Sequence, residues 1–329
     1  MKPTRRALLA APLALPVLAM PGLIRRARAA RPLIVASLLG EDKPETLIWT
    51  HMRDRVEAAL PGAFSFTVVA NAALGGEKAV AEGLRLGSIQ ASLSTLSTLS
   101  AWVPESQLFD LPFLFRDEAH LAAALAGEEG ARLRERLEAQ GFVAPAFIDY
   151  GARHLVARRP LLEPAALEGK RIRVIQSPLH AALWQGFGAL PIALPITETY
   201  NALSTGHVEA MDLTRAAYAG FRLHEVAPHV TLTAHIRAAG AVLFSGRFWS
   251  GLGGEEQAAL RRAAVEGAAR FGALMAAEER AADAAAGAGG ATFHAVSDLA
   301  PWREPARRVW QEFSGRVGGM AAIEAVAAL

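Results

Sequence analysis

The chain has 329 residues, 52% of them hydrophobic and 20% charged, which is enough apolar material for two ordinary domains with cores of their own. It contains no cysteine, so disulfides, thiol catalysis and cysteine-ligated metals are excluded. The formal net charge of +2 is uneven: Lys2, Arg5, Arg6, Arg25, Arg26 and Arg28 precede residue 30 with no acid among them, and taking those six from +2 leaves −4 for the rest, which has no basic stripe with interleaved aromatics of the kind that binds nucleic acid.

Residues 1–29 read as an export signal. Arg5 and Arg6 precede an apolar run from Ala7 to Ile24, and Ala27-Arg28-Ala29 is an A-x-A cleavage site. The arginine pair points to the twin-arginine route, which carries folded proteins; an ordinary secretory signal or an uncleaved anchor is the alternative. Pro12, Pro16 and Pro21 interrupt the run and argue against a stable membrane helix.

Pro32–Leu39 is a buried-type strand, Glu45–Leu60 a helix stopped by Pro61-Gly62, and Phe64–Ala70 a second strand. Gly75-Gly76-Glu77 opens a helix running to Leu86. Glycines there let backbone amides approach a ligand, while an acid in a first turn equally complements the helix dipole. Strand Ile89–Leu93 leads into the hydroxyl-rich Ser94-Thr95-Leu96-Ser97-Thr98. In open α/β sheets ligands bind beyond the carboxyl ends of strands, which makes Ser94 and Thr95 candidate wall residues; a turn capping the next helix is the plainer reading. Phe109–Asp117 reads as a core plug, Asp117–Gln140 as one helix stopped by Gly141, and Phe142–Tyr150 as a strand, after which the chain is expected to cross between lobes near Gly151.

The stretch from Gly151 to Asp212 carries two arginines of interest. Arg153 opens an extended run, and Arg173 stands between Ile172 and Val174 on a short strand after the turn at Glu168-Gly169. On a strand Ile172 and Val174 share one face and Arg173 takes the other. On a central strand that face is a cleft, where a planar, always-charged guanidinium suits a carboxylate; on an edge strand Arg173 is a plain surface arginine. Beyond Asp212, Ala241–Ser245 reads as a strand returning to the first lobe. Leu252 to about Ala286 reads as an unusually long alanine-rich helix, Thr292–Val296 as a late strand and Pro301–Arg316 as a terminal helix, with Trp302 and Trp310 as packing residues. His224, Glu225 and His229 have the spacing HExxxH with Pro228 inside, not HExxH on one helix face, and are not read as a metal site. Strands alternating with helices argue an α/β fold with two lobes and more than one crossover.

Taken in order, several motifs of this chain resemble one family. They are Gly151-Ala152-Arg153, Leu167-Glu168-Gly169-Lys170-Arg171-Ile172-Arg173-Val174, Gly188-Ala189-Leu190-Pro191 and Glu198-Thr199-Tyr200-Asn201-Ala202-Leu203-Ser204-Thr205-Gly206-His207-Val208-Glu209. They resemble the G-x-R, L-x-G-x-x-x-R-V, G-A-x-P and E-x-Y-x-A-L-x-x-G-x-V-(D/E) elements of the solute-binding proteins of TRAP transporters (the tripartite ATP-independent periplasmic, DctP-type family). Leu74–Glu77, Asp110–Asp117 and Glu225–Pro228 resemble further elements, so the resemblance covers most of residues 33–315. It implies an α/β, two-lobed periplasmic-binding-protein-like fold with mixed sheets, a hinge, and a long helix spanning both lobes. Lobe I would be 30–150 plus about 238–280, and lobe II 151–237 plus about 281–329. It further implies a monomeric receptor in the periplasm, without cofactor or metal, that closes on a small organic acid and delivers it to the small and large TRAP membrane subunits.

Carried over residue by residue, the resemblance makes Arg173 the carboxylate-binding arginine and Arg153 the second arginine near the ligand, with Glu77 and the Ser94-Thr95 loop beside them. Two positions depart from the pattern. Members that bind polyhydroxylated sugar acids carry D-G-x-E-N where this chain has Glu209-Ala210-Met211-Asp212-Leu213, and Leu213 cannot bond a hydroxyl. Ile196 stands where an aromatic often lines the pocket. Both point to a smaller or less hydroxylated acid, such as a 2-oxo or branched carboxylate. The alternative reading is an exported enzyme acting on a carboxylate anchored by Arg173. His180, His235 and Glu77 are its candidate acids and bases, and nothing in the sequence places them together. An exported sensory domain is a third reading.

Overall fold

A computed structural model describes residues 29–329, so the expected export signal lies outside the described residues except for its last one. Nine strands form the framework: β1 (Arg31–Ala36), β2 (Phe64–Val69), β3 (Ala91–Thr95), β4 (Phe142–Ala157), β5 (Arg171–Val174), β6 (Leu190–Ala193), β7 (Ala210–Thr214), β8 (His229–Ser245) and β9 (Thr292–Ala295). Their order is β2-β1-β3-β8-β4-β7-β5-β6, with β9 beside β8. The outer pairs are parallel, which needs crossover connections, while β3, β8, β4 and β7 are antiparallel neighbours, which makes the sheet mixed.

Two strands belong to both lobes. β4 and β8 are 16 and 17 residues long, about three times the usual strand. Residues 240–244 of β8 pair with β3, whereas residues 229–232 pair with β9, and β7 pairs only with the far half of β4, Arg153–Ala157. Where the halves meet, the β4/β8 ladder slips register between Asp149 and Ala152 and again between Arg153 and Leu155. Gly151 there has φ +95°, and a Cβ on it would lie 2.4 Å from Glu279 Oε1. The chain at this point needs a glycine for its backbone angle, while a Cβ there would also displace the tip of the Glu279 side chain.

That neighbour is a 35-residue helix, Gly254–Ala288. Leu260, Ala263, Ala264, Phe271 and Met275 bury against Ile48, Met52 and Phe244 on the β1–β3 side. Further along, Ala286 buries with Leu203, Met211 and Tyr218 on the β5–β7 side. Ion pairs follow the same division: Glu278 meets Lys43 at 3.0 Å, while Glu279 meets Arg215 at 3.2 Å and Asp283 also pairs with Arg215.

Several expected elements differ. Asp117–Gln140 is two helices, Glu118–Ala126 and Glu128–Ala139, because Gly127 is extended (φ −81°, ψ −165°) and Gly130 packs directly on the Leu125 carbonyl. The strands expected over Phe142–Tyr150 and Ala241–Ser245 are the first and last halves of β4 and β8. Strand β6 and a final helix, Met320–Ala327, were not expected from the sequence. The Phe109–Asp117 element is a plug: Phe109, Leu111 and Leu114 are buried, and Phe113 N donates to the His235 carbonyl at 2.7 Å. Trp302 is buried, and Trp310 Nε1 donates to the Pro112 carbonyl at 2.9 Å.

Candidate functional site

Where the two lobes face each other, a cleft holds a cavity of about 50 Å³. Leu38, Glu45, Glu77, Thr95, Tyr150 and Ala238 form one wall, and Arg153, Arg173, Ile175, Ile196, Leu213, Thr214, Ala217 and Phe221 the other. Six of the seven residues singled out from the sequence thus meet here: Arg173, Arg153, Leu213, Ile196, Glu77 and Thr95. Ser94 does not line the cleft; it is buried inside β3 opposite Ala241. A larger hollow lies outside, lined by Arg158, Arg159, Lys170, Arg171 and Glu209, but there Glu209 already neutralises Lys170 and Arg171.

The strand alternation that singled out Arg173 is present. Ile172 and Val174 are fully buried on β5, and Arg173 is 2% exposed, held by a bond from its Nε to the Leu194 carbonyl at 2.9 Å. No acceptor among the described residues reaches its two Nη atoms, and no carboxylate pairs with it. Burial and then the like charge of Arg153 hold its guanidinium below its usual range. The cleft therefore contains a buried cation short of a counter-charge.

Arg153 is the opposite case. Its Nε donates to Asp212 Oδ2 at 2.7 Å and its Nη2 to the Asp212 carbonyl at 2.7 Å, with both side chains buried. Burial disfavours its charge, but Asp212 outweighs burial and holds the guanidinium above its usual range. Asp212 itself is the hub of a buried polar group. His235 Nε2 lies 3.2 Å from Oδ2 while its Nδ1 meets Thr233 Oγ1 at 2.7 Å, the arrangement of a neutral imidazole that donates to the carboxylate and accepts from the hydroxyl. His180 sits between Asp212 and Asp110, 3.6 Å from each. Burial would raise Asp212, but Arg153, then His180 and His235, hold it well below the usual carboxylate range.

His180 is fully buried; burial alone would lower it, yet the two flanking carboxylates raise it above the ordinary imidazole value. A base raised on folding contributes stability that is present below its unfolded value, near 6.5, and lost as pH rises through the folded one. We therefore expect His180→Gln to cost most stability near pH 6. The gap to the native chain should narrow toward pH 9 in urea titrations; a gap that does not change with pH would show that His180 is neutral throughout.

On the first wall Glu77 is held by Thr95 N at 2.8 Å, Thr95 Oγ1 at 3.1 Å and Thr98 Oγ1 at 2.9 Å. Thr95 also caps the short helix that follows, so its plain and its site roles coexist. Glu45 and Tyr150 point to the same space, and the sequence had marked neither. Glu45 is half-buried with no hydrogen bond or ion pair among the described residues, and burial followed by the charge of Glu77 pushes its carboxyl up to about 8. Of the enzyme candidates, His180 and His235 gather on Asp212 behind Arg153 and do not line the cleft, so they do not join Glu77. Glu225 accepts from Tyr200 Oη at 2.8 Å and His229 meets His294 at 3.2 Å, so the HExxxH residues go to separate partners.

A family model described as bacterial extracellular solute-binding protein, family 7, matches residues 35–316. A solute-binding protein of Verminephrobacter eiseniae is 32% identical over 214 residues, which span 65% of this chain and 64% of that relative. The C4-dicarboxylate-binding periplasmic protein DctP of Rhodobacter capsulatus is 29% identical over 307 residues, 91% of this chain and 92% of that one. Among solved structures, a TRAP periplasmic solute binding protein from a Bradyrhizobium, in complex with galacturonate, superposes with a TM-score of 0.87 at 30% identity, covering 91% of this chain and all of that one.

Proposed function

The chain belongs to the bacterial extracellular solute-binding proteins of family 7, and we propose that it acts as the receptor of a TRAP transporter, closing two lobes on a small organic acid and passing it to small and large membrane subunits. Arg173 carries this reading: a buried guanidinium in a cleft between lobes, with both Nη atoms free of protein acceptors, is a socket for a carboxylate. Residues 30–150 with about 238–280 form one lobe, and 151–237 with about 281–329 the other. The hinge is the slipped register of β4 and β8 around Gly151. A ligand that touches both walls stabilises the closed arrangement, because closure strips water from the arginine–carboxylate pair.

A binding role without reaction is supported by the family to which the chain belongs. Arg153 is already satisfied by Asp212, and the imidazoles behind it meet carboxylates rather than the cleft. Glu45, Glu77 and Tyr150 line the wall opposite the anchor, and this reading gives them a part in holding the ligand. Tight binding of an acid without its conversion is the expected behaviour.

The Rhodobacter relative is named for C4-dicarboxylates and the Bradyrhizobium structure contains galacturonate, both carboxylates. In this chain Leu213 and Ile196 line the wall with apolar surface, so a sparingly hydroxylated acid suits it better than a sugar acid. A thermal-shift panel should show simple monocarboxylates raising the melting temperature more than hexuronates. The reverse order would overturn the assignment of Leu213 as a residue that disfavours hydroxyls.

The receptor works in the periplasm, reached by the twin-arginine route. Replacing Arg5 and Arg6 with lysine should leave the protein in the cytoplasm, measured by fractionation; normal export of that variant would exclude the route.

A further inference from the structure

The wall opposite Arg173 carries more acid than a receptor for a plain anion needs. Glu45 and Glu77 both line the cleft, and so does the Tyr150 hydroxyl, which has no hydrogen bond among the described residues. Glu77 is already met by three protein donors, whereas Glu45 has none. On the other wall Asp212 pairs with Arg153, whereas Arg173 has no ion pair among the described residues and feels Asp212 and Glu77 only at longer range. A ligand bearing only a carboxylate would satisfy Arg173 and bring a further negative charge toward two glutamates. A ligand with a carboxylate at one end and a cationic nitrogen at the other would satisfy Arg173 and Glu45 together. Between them Leu38, Ile175, Ile196 and Leu213 offer aliphatic surface, and the rings of Tyr150 and Phe221 suit a cation as well as a hydrocarbon.

We propose that the solute is a zwitterion of the amino-acid class, with its carboxylate on Arg173 and its ammonium on Glu45, and with an apolar side chain packed on the aliphatic lining of the cleft. This rests on the reading of Arg173 as the carboxylate socket. The high value to which burial and Glu77 drive the Glu45 carboxyl agrees with a group that lacks the cation it is placed to meet.

The test compares molecules that differ only at the nitrogen. Calorimetric titration would use valine against 3-methyl-2-oxobutanoate, leucine against 4-methyl-2-oxopentanoate, and proline against cyclopentanecarboxylate, on the purified mature chain and on Glu45→Gln and Arg173→Ala. The expected result is that in at least one pair the ammonium-bearing member binds about tenfold or more tightly, the size a charge-assisted hydrogen bond gives. Glu45→Gln should bring that pair close to parity, and Arg173→Ala should weaken both members. If the deaminated acid binds as well or better in every pair while Arg173→Ala still abolishes its binding, the zwitterion proposal is wrong and the carboxylate reading stands. If the preference survives Glu45→Gln, the assignment to Glu45 is wrong. If none of the six binds, the zwitterion proposal fails and the carboxylate reading rests on other acids; if Arg173→Ala leaves binding unchanged, both fail.

Discussion

Arg173→Ala should weaken ligand binding by about 2–4 kcal/mol, roughly 30- to 1000-fold in Kd, while leaving the fold intact. The magnitude follows from the burial of the guanidinium and the absence of any competing acceptor at its Nη atoms. Hydrogen bonds to charged groups are worth about 1.5–3 kcal/mol each, and here two of them would form in a closed cleft. The free protein depends little on the residue, because its loss removes one bond, to the Leu194 carbonyl, and breaks no ion pair. Arg173→Lys keeps the charge but not the planar fork, and its ammonium is more strongly hydrated, so it too should bind poorly. Calorimetry on the natural solute, with circular dichroism to check folding, separates the cases. Native-like binding by the lysine variant would refute a bidentate role. Native-like binding by the alanine variant would make Arg173 a bystander and place the carboxylate elsewhere.

Asp212→Ala should have the largest effect on stability, about 3–5 kcal/mol, because it strands Arg153 as an unpaired buried cation and removes the acceptor of His235. The denaturant midpoint should drop with little change in slope. Asp212→Asn retains an oxygen for Arg153 Nε but not the charge, and should fall between the two. The contribution also has a pH signature. A carboxylate held below its unfolded value gives stability that is fully present above about pH 4 and lost only as pH falls through the folded value. The native chain and Asp212→Asn should therefore differ most near neutrality and converge in acid. A loss of less than about 1 kcal/mol for Asp212→Ala would mean that water or a rearranged Asp110 takes over the pairing.

How legible this was depends on whether a residue's role is set by its own strand or by distant parts of the chain. The direction of Arg173 was legible because Ile172 and Val174 take the opposite face, but its assignment as a carboxylate anchor came from the ordered motifs. Arg153, Leu213 and Glu77 became legible through the ordered motifs around them. Glu45 was not, because an acid in a first helical turn looks like a dipole partner, and only the folded cleft places it beside Tyr150 and across from Arg173. Asp110 was hidden inside an apolar plug, and its neighbour His180 is 70 residues away. Ser94 illustrates the reverse error: its position at a strand end suggested the cleft, but β8 covers it. The first half of β8 was not legible because Thr231, Thr233, His235 and Arg237 break the apolar run, and their partners, the Leu161 carbonyl, Asp212 and Asp149 among them, lie far off in sequence. The short β6 contains Pro191 and reads as a turn.

The two shared strands also govern the order in which this polypeptide can mature during synthesis. β3 gains its second neighbour only from residues 240–244, and the first half of β4 has no partner except β8. A nascent chain that has emerged as far as residue 228 therefore exposes two bare strand edges in its first lobe, each a template for pairing with another molecule. Neither lobe is a unit that can be completed and set aside while the other is made. The ladder closes late, through contacts between segments about 70 to 150 residues apart, and closing it joins both lobes in one cooperative step.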